Sequence, residues 1–197
     1  MNLNGGGLLP VALDNTGNIK FLFGLERDHW ISSVKGFCDF GGASDNEETR
    51  FETACREAEE ELVGFLGSSE ELMKEATENL IIKLETDKYD SYLFSINYDE
   101  NLPLYFNRNF TCVEKYNPEI FEKEGIYEKR QILWISKDEL ITRKDEFRNF
   151  YANEFIPQIL DRIHQIEKKL KCLYGIKGHS NLKSTKSLLN IKFLEKL

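Results

Sequence analysis

Two short apolar runs, residues 7–13 (GLLPVAL) and 19–25, flank the turn-forming cluster Asp14-Asn15-Thr16-Gly17-Asn18, and this pattern predicts a β-hairpin. Pro10 has no amide hydrogen to donate, which points to a strand edge or a bulge. Further on, the apolar period lengthens. Phe51, Ala54, Cys55, Ala58 and Leu62 share one side of a helix, entered through Gly41-Gly42 with Asp45 or Asn46 as N-cap and Asp45 and Glu48 at capping-box spacing. A second helix is predicted over 68–78, capped by Ser68-Ser69, with Glu70 and Glu71 in its first turn. Strands are expected at 81–85, 89–96 and 128–135. A short helix is expected from Lys137. Residues 99–125 read as a long irregular segment, and 144–173 as helix interrupted at Pro157. Strands placed around an amphipathic helix suit an α/β sandwich, a mixed sheet flanked by helices.

The polar side of the first helix is unusual. Glu57, Glu60 and Glu61 stand at i, i+3 and i+4, so at about 100° per residue they project from one side. Like charges at that spacing repel, and a hard divalent cation bound through oxygen turns the repulsion into attraction. Gly41-Gly42 lets the backbone bend and aim a carbonyl at such an ion. Arg56, between Glu48 and the trio, can hold one carboxylate by a forked pair and so orient the others. Most acidic runs on helices are solvated faces. Here Gly-Gly, Glu48, Arg56 and the three carboxylates coincide at fixed offsets, which argues against chance.

Those residues resemble the Nudix box, Gly-x5-Glu-x7-Arg-Glu-U-x-Glu-Glu-x-Gly-U with U a bulky aliphatic: Gly42, Glu48, Arg56, Glu57, Glu60 and Glu61 all match. Ala58 is small where an aliphatic is usual, Val63 replaces the glycine with Gly64 one place late, and Phe40 replaces a common proline. The late glycine suggests Gly64 as the residue just past the helix end. The resemblance spans roughly residues 5–165 and implies a Nudix-type α/β/α sandwich, a domain over 1–165 and a basic C-terminal helix or tail over 166–197. It implies a hydrolase that uses Mg2+ or Mn2+ to cleave the pyrophosphate of a nucleoside diphosphate linked to another moiety. Glu60 and Glu61 would be direct metal ligands, Glu57 a ligand or base, Glu48 a nearby ligand or support, and Gly41 a carbonyl ligand. Some members place the general base on a later loop or strand, where Glu128 is the first candidate and Glu124 the next.

The opening GLLPVAL, FLFGLERDHW and DFGG also resemble a Nudix subgroup of large DNA viruses that includes messenger-RNA decapping members. Capped RNA is therefore the first substrate expected, ahead of free nucleotides, dinucleoside polyphosphates, nucleotide sugars and inositol pyrophosphates. Trp30, Tyr105, Phe106 and Phe110 are candidates to stack a base, and Arg27, Lys35 and Arg108 to meet a phosphate. Two other classes stand beside this reading: a Nudix-fold binding module without catalysis, which would usually lose box carboxylates, and an acidic interaction helix in an unrelated protein. Asp39-Phe40-Gly41 spells a kinase metal motif, but the chain lacks the HRD and glycine-rich loops that go with it.

Composition adds limits. With 197 residues and 14 Phe, one domain with an appendage is expected. No apolar run is long enough for a membrane span, and the start shows no signal-peptide pattern. Cys38, Cys55, Cys112 and Cys172 form no CxxC pair, and the three His are scattered, so free thiols in a reducing, cytoplasmic setting are expected. The net charge of −8 is uneven: residues 165–197 carry eight lysines and two glutamates, net +6, leaving −14 elsewhere. A basic tail on an acidic body can steer a polyanion, though such ends are more often solubilising.

Overall fold

In the computed structural model, residues 4–27, 35–45, 47–122 and 126–180 are described. The hairpin forms: β1 (Gly5–Leu13) returns as β2 (Ile19–Glu26). Asp14 ties the turn, its carboxylate accepting from the amides of Thr16 and Asn18 at 2.9 Å each. The strands pair only from Val11↔Phe21 to Leu13↔Ile19 and then part. Into the fork run β3 (Phe37–Cys38), paired with β2, and β4 (Phe40–Ala43), paired with β1. Asp39 is the joint between them. Strands this short carry no readable alternation, so the sequence pattern shows only a loop there. Pro10 falls between Leu8, the last residue paired with β4, and Val11, the first paired with β2. A proline in this central strand therefore breaks no ladder bond.

On its other edge β1 pairs in parallel with β6 (Tyr89–Ser95), and β6 pairs antiparallel with β5 (Leu80–Glu85). β7 (Lys129–Ser136) pairs antiparallel with the free edge of β2. The sheet is mixed, as the sequence predicts, and helices cover both faces. Leu8, Leu22, Phe94 and Ile132 join α1 (Arg50–Leu62), α2 (Ser69–Glu78) and α3 (Leu102–Tyr116) in one core. Leu9, Phe21, Phe23, Leu93 and Ile135 join the other, with Leu140 of α4 (Lys137–Thr142), the π-helical turn Tyr151–Phe155, α5 (Ile156–Asp161) and α6 (Ile163–Ser180). Pro157 sits in the first turn of α5, where a missing amide costs nothing, and a second break follows at Arg162. Ile166 and Leu170 are fully buried, and the Tyr174 hydroxyl accepts from Leu13 N and donates to the Ile96 carbonyl.

Two expectations are corrected. The N-cap of α1 is Thr49, not Asp45 or Asn46: its hydroxyl accepts from Glu52 N and the Glu52 carboxylate answers the Thr49 amide at 2.9 Å. Within the segment 99–125, the described residues are largely helical rather than irregular: 102–116 form α3 and 118–122 a 3-10 turn. Leu102, Phe106 and Phe110 recur at helical spacing and bury one side of α3, which Pro103 opens. The end of α1 bears out the late glycine. Val63 itself adopts the left-handed conformation (φ 53°) with Gly64 following at φ 71°, so a β-branched residue stands where the box has glycine, at a strain of roughly 1–2 kcal/mol.

α3 also closes the sheet. The Asn107 side chain donates to the Ile132 carbonyl at 3.2 Å and accepts from the Ile132 amide at 2.9 Å, imitating one rung of a neighbouring strand. Asn107→Ala leaves both groups of β7 unpaired and should lower unfolding stability by about 2 kcal/mol in urea titration, with the far-UV spectrum of the native state retained.

Candidate active site

α1 lies across the fork because the strands beneath it are bare. A side chain at Gly6 would collide with the Arg50 carbonyl, and one at Gly42 with the Glu57 carboxylate. The first turn of the helix and its acidic ridge thus rest directly on backbone.

Arg56 organises the ridge. Its guanidinium forks onto Glu48, with Nε 2.8 Å from Oε1 and Nη2 3.1 Å from Oε2, and its Nη1 lies 3.0 Å from Glu57 and 3.2 Å from Glu60. The forked hydrogen bond holds Glu48 down at about 2. Glu57 and Glu60 move the other way. Burial raises both, Arg56 opposes it, and the nearby charge of Glu128 raises both further.

Glu61 is not on the solvated side of α1 that its spacing suggests. It is 2 % exposed and faces into the fork. Its Oε1 is 2.9 Å from Nζ of Lys129, and its Oε2 accepts from the Gly41 amide at 3.0 Å. Lys129 is itself fully buried and reaches Glu26 at 2.5 Å and Cys38 Sγ at 3.2 Å. The same Glu26 oxygen takes Nη1 of Arg148 at 3.0 Å. Burial pushes the Glu61 carboxyl well above the usual carboxylate range, with Lys129 pulling against it. At Glu26 burial acts in the same sense, but Lys129, Cys38 and Arg148 outweigh it and the net shift is downward. Burial disfavours the Lys129 ammonium, yet its anionic neighbours outweigh this and keep it protonated.

On the other side of β4 lies a cleft of about 250 Å3 lined by Asp39, Gly41, Gly42, Lys88, Arg148 and Phe150. The Arg148 guanidinium sits 5.0 Å over the Phe150 ring. At the cleft floor Asp39 accepts from the Ser91 hydroxyl at 2.6 Å and the Tyr89 hydroxyl at 3.0 Å. Its complete burial, only partly offset by those bonds, pushes its carboxyl up to about 6.

Of the residues singled out in the sequence, Gly41, Glu48, Glu57, Glu60, Glu61 and Glu128 come together here. Gly41 gives its amide to Glu61. Among the described residues no three metal-ligating side chains converge into a ready cage. The donors still fit Mg2+ or Mn2+ in kind, being carboxylate and backbone oxygens whose mutual repulsion a hard cation relieves. The aromatic candidates fare differently. Phe106 is fully buried between Phe65 and Tyr127 and Phe110 packs on Phe121, so neither offers a face to a base. Tyr105 and Arg108 are on the exposed side of α3. Arg27 donates to the Phe121 carbonyl at 3.1 Å and lies over the Phe121 ring, while its backbone amide bonds Glu128. Trp30 and Glu124 lie outside the described residues.

Sequence reasoning missed Lys129, Asp39, Arg148 and Phe150. No motif announces Lys129, and Asp39 drew notice only through a kinase tripeptide.

No protein-family model matches the chain, and no curated protein matches it by sequence. Solved structures do match in shape. The bifunctional NMN adenylyltransferase/ADP ribose pyrophosphatase of Francisella tularensis, in complex with AMP and a Mn ion, superposes with a TM-score of 0.52 at 13% identity, over 82% of this chain and 42% of that one. The chain thus spans about two-fifths of that protein's length. An Ap4A hydrolase of C. elegans gives 0.45 at 13% identity over 88% and 98% of the two chains. The Nudix hydrolase RenU of M. smegmatis gives 0.42 at 13% identity over 89% and 88%. The fold is the Nudix-type α/β/α sandwich that the box residues imply.

Two outcomes test the electrostatics. Lys129→Met leaves Glu26 and Glu61 facing an apolar side chain and should cost about 3–5 kcal/mol in chemical unfolding. A folded-state pKa near 6 at Asp39 means that the native chain holds this proton more tightly than the unfolded one. Its contribution is full below about pH 4 and is lost as pH rises through about 6, by up to roughly 3 kcal/mol. Thermal melts of Asp39→Asn should lack that slope between pH 4 and 6.

Proposed function

We propose that the protein is a Mg2+- or Mn2+-dependent hydrolase cleaving the pyrophosphate of a nucleoside diphosphate joined to another moiety, with the 5′ cap of messenger RNA as its first substrate. One observation carries the reading: Glu48, Glu57, Glu60, Glu61 and Glu128 are gathered around Arg56 and Lys129, beside a cleft whose walls are cationic and aromatic.

Each group has a part. Glu57, Glu60 and Glu61 hold the ion, with Glu48 and Gly41 in support. The cation supplies Lewis-acid stabilisation of the charge that develops on the diphosphate. Glu128 accepts the proton of the attacking water, at a place where its charge already meets those of Glu57 and Glu60. Water adds to one phosphorus, the bridging P–O bond breaks, and that oxygen leaves on the other phosphate. Arg56 keeps its three carboxylates aligned throughout. The nucleoside enters the cleft, against Phe150, with Lys88 and Arg148 facing its phosphates. The lysines of 166–197 steer an incoming polyanion. A cytoplasmic setting accords with the four free thiols.

Glu60→Gln tests the reading most cleanly. The Glu60 side chain is 37% exposed and bears no buried partner, so the fold should survive while kcat falls by at least about two orders of magnitude. The assay is Mg2+-dependent cleavage of the diphosphate link in capped RNA, dinucleoside polyphosphates and nucleotide sugars, read as the pair of phosphate-bearing products that each releases. Wild-type turnover in the variant would refute the mechanism.

A further inference from the structure

The outward side of α3 takes no part in the core and differs from the rest of this acidic molecule. Leu104, Tyr105, Arg108, Cys112, Lys115 and Tyr116 fall within one stripe at about 100° per residue, and all six are exposed. Tyr105 is 51% and Tyr116 67% exposed, far more than a tyrosine needs to keep only its hydroxyl wet. No carboxylate shares the stripe, although the chain carries a net charge of −8. Lys115 lies 4.9 Å over the Tyr116 ring, and Arg108 makes no ion pair among the described residues. Cations interleaved with exposed aromatic rings, without acids, match a single polynucleotide strand: phosphates for the cations and base faces for the rings.

The position of α3 supports the same partner. Phe110, two-thirds along the helix, packs 5.0 Å from Phe121. Phe121 in turn carries the Arg27 guanidinium, and the Arg27 amide donates to the Glu128 carbonyl at 2.7 Å. The C-terminal half of α3 is therefore tied to the start of β7, where the carboxylates gather. From Leu104 to Tyr116 the stripe runs about 18 Å, the length of about five stacked nucleotides.

We propose that the outward stripe of α3 is a docking platform for the single-stranded RNA that follows the reacting diphosphate, with Tyr105 and Tyr116 stacking bases and Arg108 and Lys115 meeting phosphates. This rests on the pyrophosphohydrolase reading and adds a second, non-catalytic surface to it. A short substrate never reaches the stripe, so the platform sets preference for chain length and leaves the chemistry alone.

The test uses the full chain and a fluorescein-labelled, capped oligouridylate about twelve nucleotides long, set against a free cap dinucleotide. The Tyr105→Ala/Tyr116→Ala double variant should bind the oligonucleotide at least about tenfold more weakly by anisotropy, with KM raised to match, and hydrolyse the dinucleotide at the wild-type rate. Arg108→Glu should lower the slope of log affinity against log salt by about one. Photocrosslinks from 4-thiouridine should map to α3. Unchanged oligonucleotide affinity in the double variant, with dinucleotide turnover intact, overturns the platform and leaves the catalytic reading standing. Weakened oligonucleotide binding in a protein that hydrolyses none of the nucleotides keeps the platform and overturns the catalytic reading. Crosslinks confined to other elements also overturn the platform.

Discussion

Lys129 has no water to turn to, and much of the molecule is arranged around that fact. A buried ammonium is tolerable only when its partners hold it tightly, and here Glu26, Glu61 and the Cys38 sulfur do so. Each partner comes from a different element: Glu26 ends β2, Cys38 ends β3, Glu61 closes α1, and Lys129 begins β7. The ion pairs therefore act where β1 and β2 separate. Removing the lysine would do more than unpair two acids, because the helix carrying the ridge would lose one of its polar anchors to the sheet, leaving the Gly41–Glu61 and Arg50–Asp90 contacts.

That anchor also divides the labour among the carboxylates. Glu61 is fixed from both oxygens by Lys129 and the Gly41 amide. Glu48 is fixed by the fork of Arg56 and kept ionised far below neutrality. Glu57 and Glu60 are the ones left in mutual repulsion, partly buried and raised, with Glu128 adding to the strain. A cation arriving from solvent would find two carboxylates already oriented and two whose charge it relieves. Orientation and electrostatic demand are thus supplied by different residues, the arrangement a preorganised site requires.

How much of this could be read from the chain depends on range. The box helix, its apolar stripe and the Gly-Gly entry were legible because spacing within one element reports them directly. Pro157 and the late Gly64 were legible for the same reason, since each acts on its own backbone. The failures involve partners distant in sequence. The N-cap moved from Asp45 to Thr49 because capping residues abound before α1 and only the folded loop selects among them. Phe106 looked like a free aromatic in an irregular segment, yet Leu102, Phe106 and Phe110 already carried the helical period that buries it. Lys129 lacked any such signal. It joins the box-helix side only after the register shift near Leu25/Glu26, and alternation along β7 gives no hint of that shift.

The fork finally explains why glycine is so dense beneath the acidic ridge. Gly6 admits the first turn of α1, and Gly42 admits the Glu57 carboxylate. Between them β4 separates an anionic ridge on one side from the cationic, aromatic cleft on the other. Gly41 and Gly42 put no side chain between the two sides, so only the width of the backbone parts them there. Bulk added at Gly42 would strike the Glu57 carboxylate, and bulk at Gly41 the Tyr89 hydroxyl that holds Asp39 at the cleft floor, so either substitution disturbs the arrangement directly.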